Sequence, residues 1–551
     1  MKRIIALVLV LVMVLSLVAC GNKTEEKPAE PGNSTPETPV VDVDNNKENA
    51  KTDDEESTGP KYGGSIRIVN TAEGSSELGL PWAVMNSDGN ASYPCFESLV
   101  FVTNAGEVEP QLATAWDMNM EEKSITWTLR EGVKFHDGSD FNAESAAWNI
   151  EQWATSNRMS NFDRVEVVGD YQVKMYYTNW SNTCNQMSGP SFCFASMKQA
   201  LEKGMEYAAA NPCGTGPFKF GEYVRGQKVI WVRNDDYWQE GKPYLDSIEF
   251  VFMTDATTKS NAMKLPYEEG GIDILNVTDA YQTSELMKLD SVYVNFVDIG
   301  PIALYPDSDN PDSPLSDLRV RQAVSYAIDR EALCAARGYG IYKPGLQLVS
   351  PAWECFLDDP KYNCTYDKQK ALDLLAEAGY PNGFDIDLWA QPNFADKDIM
   401  VAVQAMLGEV GINVNLQFPE SGGYTDIKMN GWTGMLGQMW RNLPNIQSSF
   451  VLWFDGIPPE EEGGEWTHFW MPSAYRPEQK VHELEQAAAA TETVDNEKVE
   501  AILQCFMEEM LAIPVYYTYD AYVIKNRVHD SAYGFYSFVF KPADVWVDDA
   551  V

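Results

Sequence analysis

Ile125, Trp127 and Leu129 alternate with Thr126, Thr128 and Arg130, and Val173, Met175 and Tyr177 alternate with Lys174, Tyr176 and Thr178. That two-residue period predicts half-buried strands at both places. Gly63-Gly64 followed by Ile66 and Ile68 on one face predicts a turn and a first strand over 65–69. Further strand-like runs cover 229–233 and 248–252, and a helix-like stretch covers about 143–153. Sheet is expected to dominate the first half.

Past Pro314 the period changes. Val320, Ala323, Val324, Ala327 and Ile328 follow helical spacing, with Asp317 where an N-cap belongs. Ala371, Leu374, Leu375 and Ala378 repeat the pattern between Asp367 and the stop signals Gly379 and Pro381. A third helix is predicted over 400–410, closed by Gly411 and followed by a strand over 412–416. Helix alternating with strand predicts an α/β fold.

The N-terminus reads differently. Lys2 and Arg3 precede an apolar run from Ile4 to Val18 broken only by Ser16, which is short for a membrane span and suited to a signal-peptide core. Leu17-Val18-Ala19-Cys20 resembles a bacterial lipobox, which implies a signal peptide over 1–20 and lipidation of Cys20. Residues 21–60 hold five prolines, eleven acids, four lysines and no aromatic residue. Such a segment cannot bury enough apolar surface to order itself, so it is expected to be a disordered acidic tether reaching roughly 35 Å.

Composition narrows the chemistry. The 551 residues carry 41 Lys and Arg against 82 Asp and Glu, a net charge of −41 that would repel a nucleic acid. Only four histidines occur, and no HExxH, CxxC or CxxH spacing gathers metal ligands, so no cofactor or metal is expected. Eight cysteines follow Cys20; Cys184 with Cys193 and Cys355 with Cys364 could close short disulfide loops, or the eight could be buried thiols. His136-Asp137 has no Ser or Cys nucleophile specified beside it, so the chain is not expected to be an enzyme.

Several segments, taken together and in order from about Tyr62 to Val528, resemble the family 5 solute-binding proteins of bacterial ABC importers, the oligopeptide, dipeptide and nickel receptors. They are Ile125-Thr126-Trp127-Thr128-Leu129-Arg130-Glu131-Gly132-Val133-Lys134-Phe135-His136-Asp137-Gly138, Gly214-Thr215-Gly216-Pro217-Phe218, Arg233-Asn234-Asp235-Asp236-Tyr237-Trp238 with Lys242-Pro243-Tyr244-Leu245-Asp246, and Leu318-Arg319-Val320-Arg321-Gln322-Ala323 with Ala327-Ile328-Asp329-Arg330. Their glycines are expected to supply backbone freedom at turns, and Arg319 and Arg321 to hold neighbouring carboxylates. The resemblance implies an α/β, two-lobed periplasmic-binding-protein-like fold of type II (cluster C), with mixed sheets joined by a hinge and an extra inserted domain. On that analogy lobe I comprises 61–90, 208–297 and 515–551, the inserted domain 91–207, and lobe II 298–514. It further implies a monomer, lipid-anchored on the outer face of the cell membrane, that closes around a small solute and delivers it to permease subunits.

The same resemblance nominates ligand contacts. Trp440-Arg441-Asn442-Leu443-Pro444-Asn445 matches the family's cleft-lining stretch, in which a Trp is followed three residues later by an Asp that pairs with a peptide's ammonium. Here that position is Leu443. Arg441 could instead bind a carboxylate or hydroxyls, or simply pair with one of the many acids. Glu73, in the loop after the first strand, and Tyr517, in 515–519, also match cleft-facing positions; Trp432 and Tyr519 are further candidates. Aromatic platforms with a few polar groups suit a peptide or an oligosaccharide, and nickel or haem less well for want of a histidine cluster. A ligand sensor on the same scaffold is the alternative to an import receptor.

Overall fold

The computed structural model describes residues 59–548 except 71–76, 85–90, 104–106, 157–160, 186–191, 391–394, 444–445, 455–472, 474–477, 492 and 532–539. The predicted first strand is β1 (Ser65–Asn70). A hairpin of β2 (Val100–Val102) and β3 (Val108–Pro110) follows. Next comes an antiparallel sheet ordered β4-β5-β7-β6, built from β4 (Ala113–Asn119), β5 (Ser124–Leu129), β6 (Phe162–Gly169) and β7 (Gln172–Tyr177). The chain then enters a large sheet through β8 (Phe218–Val224), β9 (Lys228–Arg233), β10 (Ser247–Phe252), β11 (Ile274–Val277) and β12 (Val292–Pro306). After the two-residue β13 (Lys343–Pro344) come β14 (Phe384–Ala390), β15 (Ile412–Gln417), β16 (Met435–Met439) and β17 (Ile513–Lys525). A short ribbon of β18 (Val528–His529) and β19 (Trp546–Val547) ends the described chain.

The large sheet runs β15-β14-β16-β12-β17-β11-β1-β10-β9-β8, with β13 beside β17. It is mixed: β1 lies parallel to β10 and β11, β14 lies parallel to β15 and β16, and β12 and β17 are antiparallel. Apolar side chains gather into separate cores along it. One includes Ile66, Trp127, Trp231, Phe250 and Tyr522; another includes Val324, Leu388, Val403, Val515 and Tyr517; a third includes Tyr305, Trp432, Trp440 and Phe506. The pair β12–β17 contributes to all three.

The predicted helices form where their caps place them. Asp317 accepts from the Arg319 amide and opens the helix Leu318–Ala327, which buries Val320, Ala323, Val324 and Ala327. Asp367 opens Lys368–Glu377 in the same way. The third begins at Lys397, three residues before the apolar pattern suggests, because Asp396 accepts from the amides of Asp398 and Ile399. Arg319 holds Asp317 as expected, but Arg321, only 2% exposed, donates instead to the carbonyls of Leu315, Ser316 and Glu509. Gly132 and Gly138 have the positive φ a turn asks for, whereas Gly214 is required by close approach, since a Cβ there would lie 2.0 Å from the Cys95 carbonyl oxygen. All eight cysteines from Cys95 to Cys505 are buried and unpaired, so neither short disulfide loop forms.

Candidate functional site

Where β12 passes from one core to the next its pairing with β17 slips, with register shifts between Asp298 and Gly300 and between Ile302 and Ala303. The first shift is organised by Asp298. Its Oδ1 accepts from the Gly300 amide at 2.8 Å, and its Oδ2 accepts from Ser350 Oγ at 2.6 Å and Trp353 Nε1 at 3.0 Å. Gly300 adopts φ +100°, and a Cβ there would stand 2.4 Å from the Trp440 carbonyl oxygen. Only glycine lets the 440–443 segment approach so closely. The Trp440 amide then donates to Pro301 O at 2.8 Å, the Asn442 amide donates to Ile299 O at 3.1 Å, and Thr518 Oγ1 donates to Gly300 O at 2.9 Å.

Strand alternation divides β17 at this point. Tyr517, Tyr519 and Ala521 belong to the core around Val324, while Tyr522 and Ile524 belong to the core around Trp127. Thr518 and Asp520 share the second face by the period of two. Asp520 is 7% exposed, and burial lifts its carboxyl to about 6 although the Arg441 guanidinium and the Asn276 side chain favour the anion. Asn276 of β11 brings its buried side-chain nitrogen to the same carboxyl. The crossing therefore gathers a guanidinium, a destabilised carboxylate and an amide donor on one face.

The residues nominated from sequence fall around this point in different ways. Arg441 lies at the crossing, partly buried and acting on Asp520. Trp440 is fully buried, its Nε1 donating to Asn442 Oδ1 at 2.9 Å and its ring tilted against Phe450, so it supports the segment that carries Arg441. Trp432 donates to Tyr305 O at 3.0 Å inside the third core. The Tyr517 hydroxyl donates to Val349 O at 2.7 Å and accepts from the Gln347 amide at 3.2 Å. Tyr519 meets Phe296 edge to face. Glu73 and Cys20 lie outside the described residues. Asp520 and Asn276 were not nominated; the signal for Asp520 was a lone acid inside the otherwise uncharged run 513–524.

His136 stands apart from this site. Its imidazole is half-buried, its Nε2–H donates to Gly216 O at 2.9 Å, and desolvation lowers its pKa to about 4. It is a neutral strut between the 132–138 turn and the glycine-rich 214–216 segment. Among the described residues, no group of three or more His, Cys, Asp or Glu could hold a metal ion.

The sequence profile of the bacterial extracellular solute-binding proteins, family 5, matches residues 107–456, more than half of the chain. The chain belongs to that family. A family 5 relative, the glutathione-binding protein GsiB of Salmonella typhi, is 29% identical over 334 residues covering 57% of this chain; the chain spans 62% of that relative's length. The dipeptide-binding protein of Escherichia coli K12 is 26% identical over 466 residues, covering 75% of this chain and 81% of its own. The periplasmic binding protein DppA of Helicobacter pylori, solved with the peptide STSA, superposes with a TM-score of 0.68 at 21% identity, covering 89% of this chain and 99% of its own. The mixed α/β architecture is accordingly the two-lobed family 5 fold.

Proposed function

We propose that this chain is the solute receptor of an ABC importer, tethered through a lipid on Cys20, and that its two lobes close around a small peptide-like guest at the β12–β17 crossing. The observation that carries this reading is the buried Asp520 carboxyl, raised by burial, on the face where the Arg441 guanidinium and the Asn276 side chain act on it. A guest with a protonated amine offers Asp520 a counter-charge that offsets the cost of its burial, and a carboxylate on the same guest is drawn to the Arg441 guanidinium. Asp520 thus takes over the duty left open by Leu443. Trp440 and Tyr517 act as framework for the crossing, and Glu73 is a further contact. The lobe boundaries near 297 and 515 fit a hinge at the slipped register, with Asp298 opposite Tyr519.

The relatives that bind glutathione and dipeptides support amino-acid-derived guests over oligosaccharides. Titration calorimetry against dipeptides, glutathione, the same compounds acetylated at the amine, and a set of oligosaccharides tests the proposal. Saturable binding of a free-amine compound that acetylation weakens at least about tenfold is expected. Binding of an oligosaccharide with no amino-acid derivative bound would overturn it. Globomycin-sensitive processing, lost in Cys20→Ser, tests the lipid anchor.

A further inference from the structure

Asn182 lies in a loop of the 91–207 segment yet reaches residues more than three hundred positions away. Its backbone amide donates to Ala489 O at 3.1 Å. Its side-chain Nδ2 faces three acceptors, Ala488 O at 3.1 Å, Thr491 Oγ1 at 2.7 Å and Thr493 O at 3.0 Å. Its Oδ1 accepts from Gln447 Nε2 at 3.4 Å. Asn182 is 5% exposed, so these bonds are made away from water. Ala488 and Ala489 close the helix Glu478–Ala489, whose last carbonyls have no partner within the helix. The asparagine supplies donors to that end, and Thr491 Oγ1 donates to Ala488 O at 2.9 Å beside it.

The other partner leads to the guest. Gln447 belongs to the helix Ile446–Phe454, and in the same helix Ser449 Oγ accepts from the Leu443 amide at 2.7 Å. Leu443 is two residues from Arg441, and the 440–443 segment is pinned to β12 at Gly300. A continuous path of short contacts therefore joins the candidate site to the Asn182 loop.

We propose that Asn182 is a latch, a positioning residue that fastens its loop onto Gln447 and the end of the helix Glu478–Ala489 when the lobes close and releases it when they part. This rests on the two-lobed receptor reading and adds a specific residue that sets the open–closed balance. Each bond replaces one to water, so the set biases the balance without locking it, and a guest that orders the 440–447 segment shifts it further. The latch is a neutral amide, so its grip depends on donors rather than charge. Asn182→Ala removes the donors, whereas Asn182→Asp also sets a carboxylate against the carbonyls of Ala488 and Thr493 and should open the molecule more.

The test uses ligand-free protein, so a failure to find a guest leaves it intact. Small-angle scattering and amide exchange are compared for the natural chain, Asn182→Ala and Asn182→Asp, with far-UV circular dichroism as the check on folding. The expected result is a larger radius of gyration in both variants, with exchange across 486–494 faster by about tenfold or more and greatest for the aspartate. If either variant loses its fold, Thr491→Val, which removes one acceptor from the far side, must give the same opening in smaller degree. Scattering and exchange indistinguishable from the natural chain in the folded variants would overturn the proposal, as would equal effects of alanine and aspartate.

Discussion

Replacing Asp520 by Asn isolates the carboxylate on which the proposed guest recognition depends. Burial raises this group from its ordinary 3.8 to about 6, against the pull of Arg441. Between those two values the folded chain holds a proton that the unfolded chain has released, so folding stability falls as pH rises from about 4 to 6. A shift of roughly 2 units corresponds to about 3 kcal/mol once the group is ionised in both states. Asparagine has the same shape and no charge, so it escapes that cost but also forgoes the coulombic attraction to Arg441. The net expectation is a variant more stable than the natural chain by about 1–3 kcal/mol at pH 7.5 and equal to it at pH 4. Denaturant titrations at the two pH values, followed by tryptophan fluorescence, measure the difference. His136, lowered to about 4, and Glu97, raised to about 7, titrate in both proteins and cancel in the comparison. A variant less stable by the same amount at both pH values would refute the reasoning, because the carboxylate would then be a structural anion held by Arg441 rather than a strained one awaiting a cation.

Gly300→Ala places a methyl group 2.4 Å from the Trp440 carbonyl oxygen at a φ that side chains avoid, and should cost about 2–4 kcal/mol, whereas Gly132→Ala, with φ +79° and open space, should cost only about 1 kcal/mol; chemical denaturation compares the two. Tyr517→Phe strips a hydroxyl that serves both Val349 O and the Gln347 amide, so stability should drop by about 1–3 kcal/mol with guest affinity unchanged, and calorimetry finding a tenfold loss of affinity would make the tyrosine a contact instead. Thiol titration of unreduced protein should find the eight cysteines from Cys95 to Cys505 inert when folded and all reactive once denatured; fewer than eight in the denatured sample would mean that a disulfide forms.

The regular elements were legible where one face meets water. β5 and β7 alternate buried and half-buried residues as their sequences promise, and the helices after Pro314 carry both their stripe and their caps. β12 was not legible, because from Gly300 to Pro306 it is buried on both faces and shows no alternation to detect. At the proposed crossing, local matching to the family pointed to the strand and the segment that meet there. It did not choose the face of β17, since the strand is buried on both faces and Tyr517, Tyr519 and Asp520 differ only in which core their alternation turns them toward. The Asn182 contacts, which join loops 306 residues apart, leave no local trace at all.

The polypeptide between Asp298 and Tyr519 departs along one strand and comes back along its immediate neighbour, so its two ends sit about 5 Å apart in adjoining positions of a ladder. Such an arrangement lends itself to exchange. The whole 298–519 block could be cut out and a homologous block from another receptor grafted onto the same two stubs without either end having to move. Evolution, or an engineer, could by this route renew the segment that carries Arg441, on one side of the proposed guest site, in a single recombination while the remainder of the chain stays as it was.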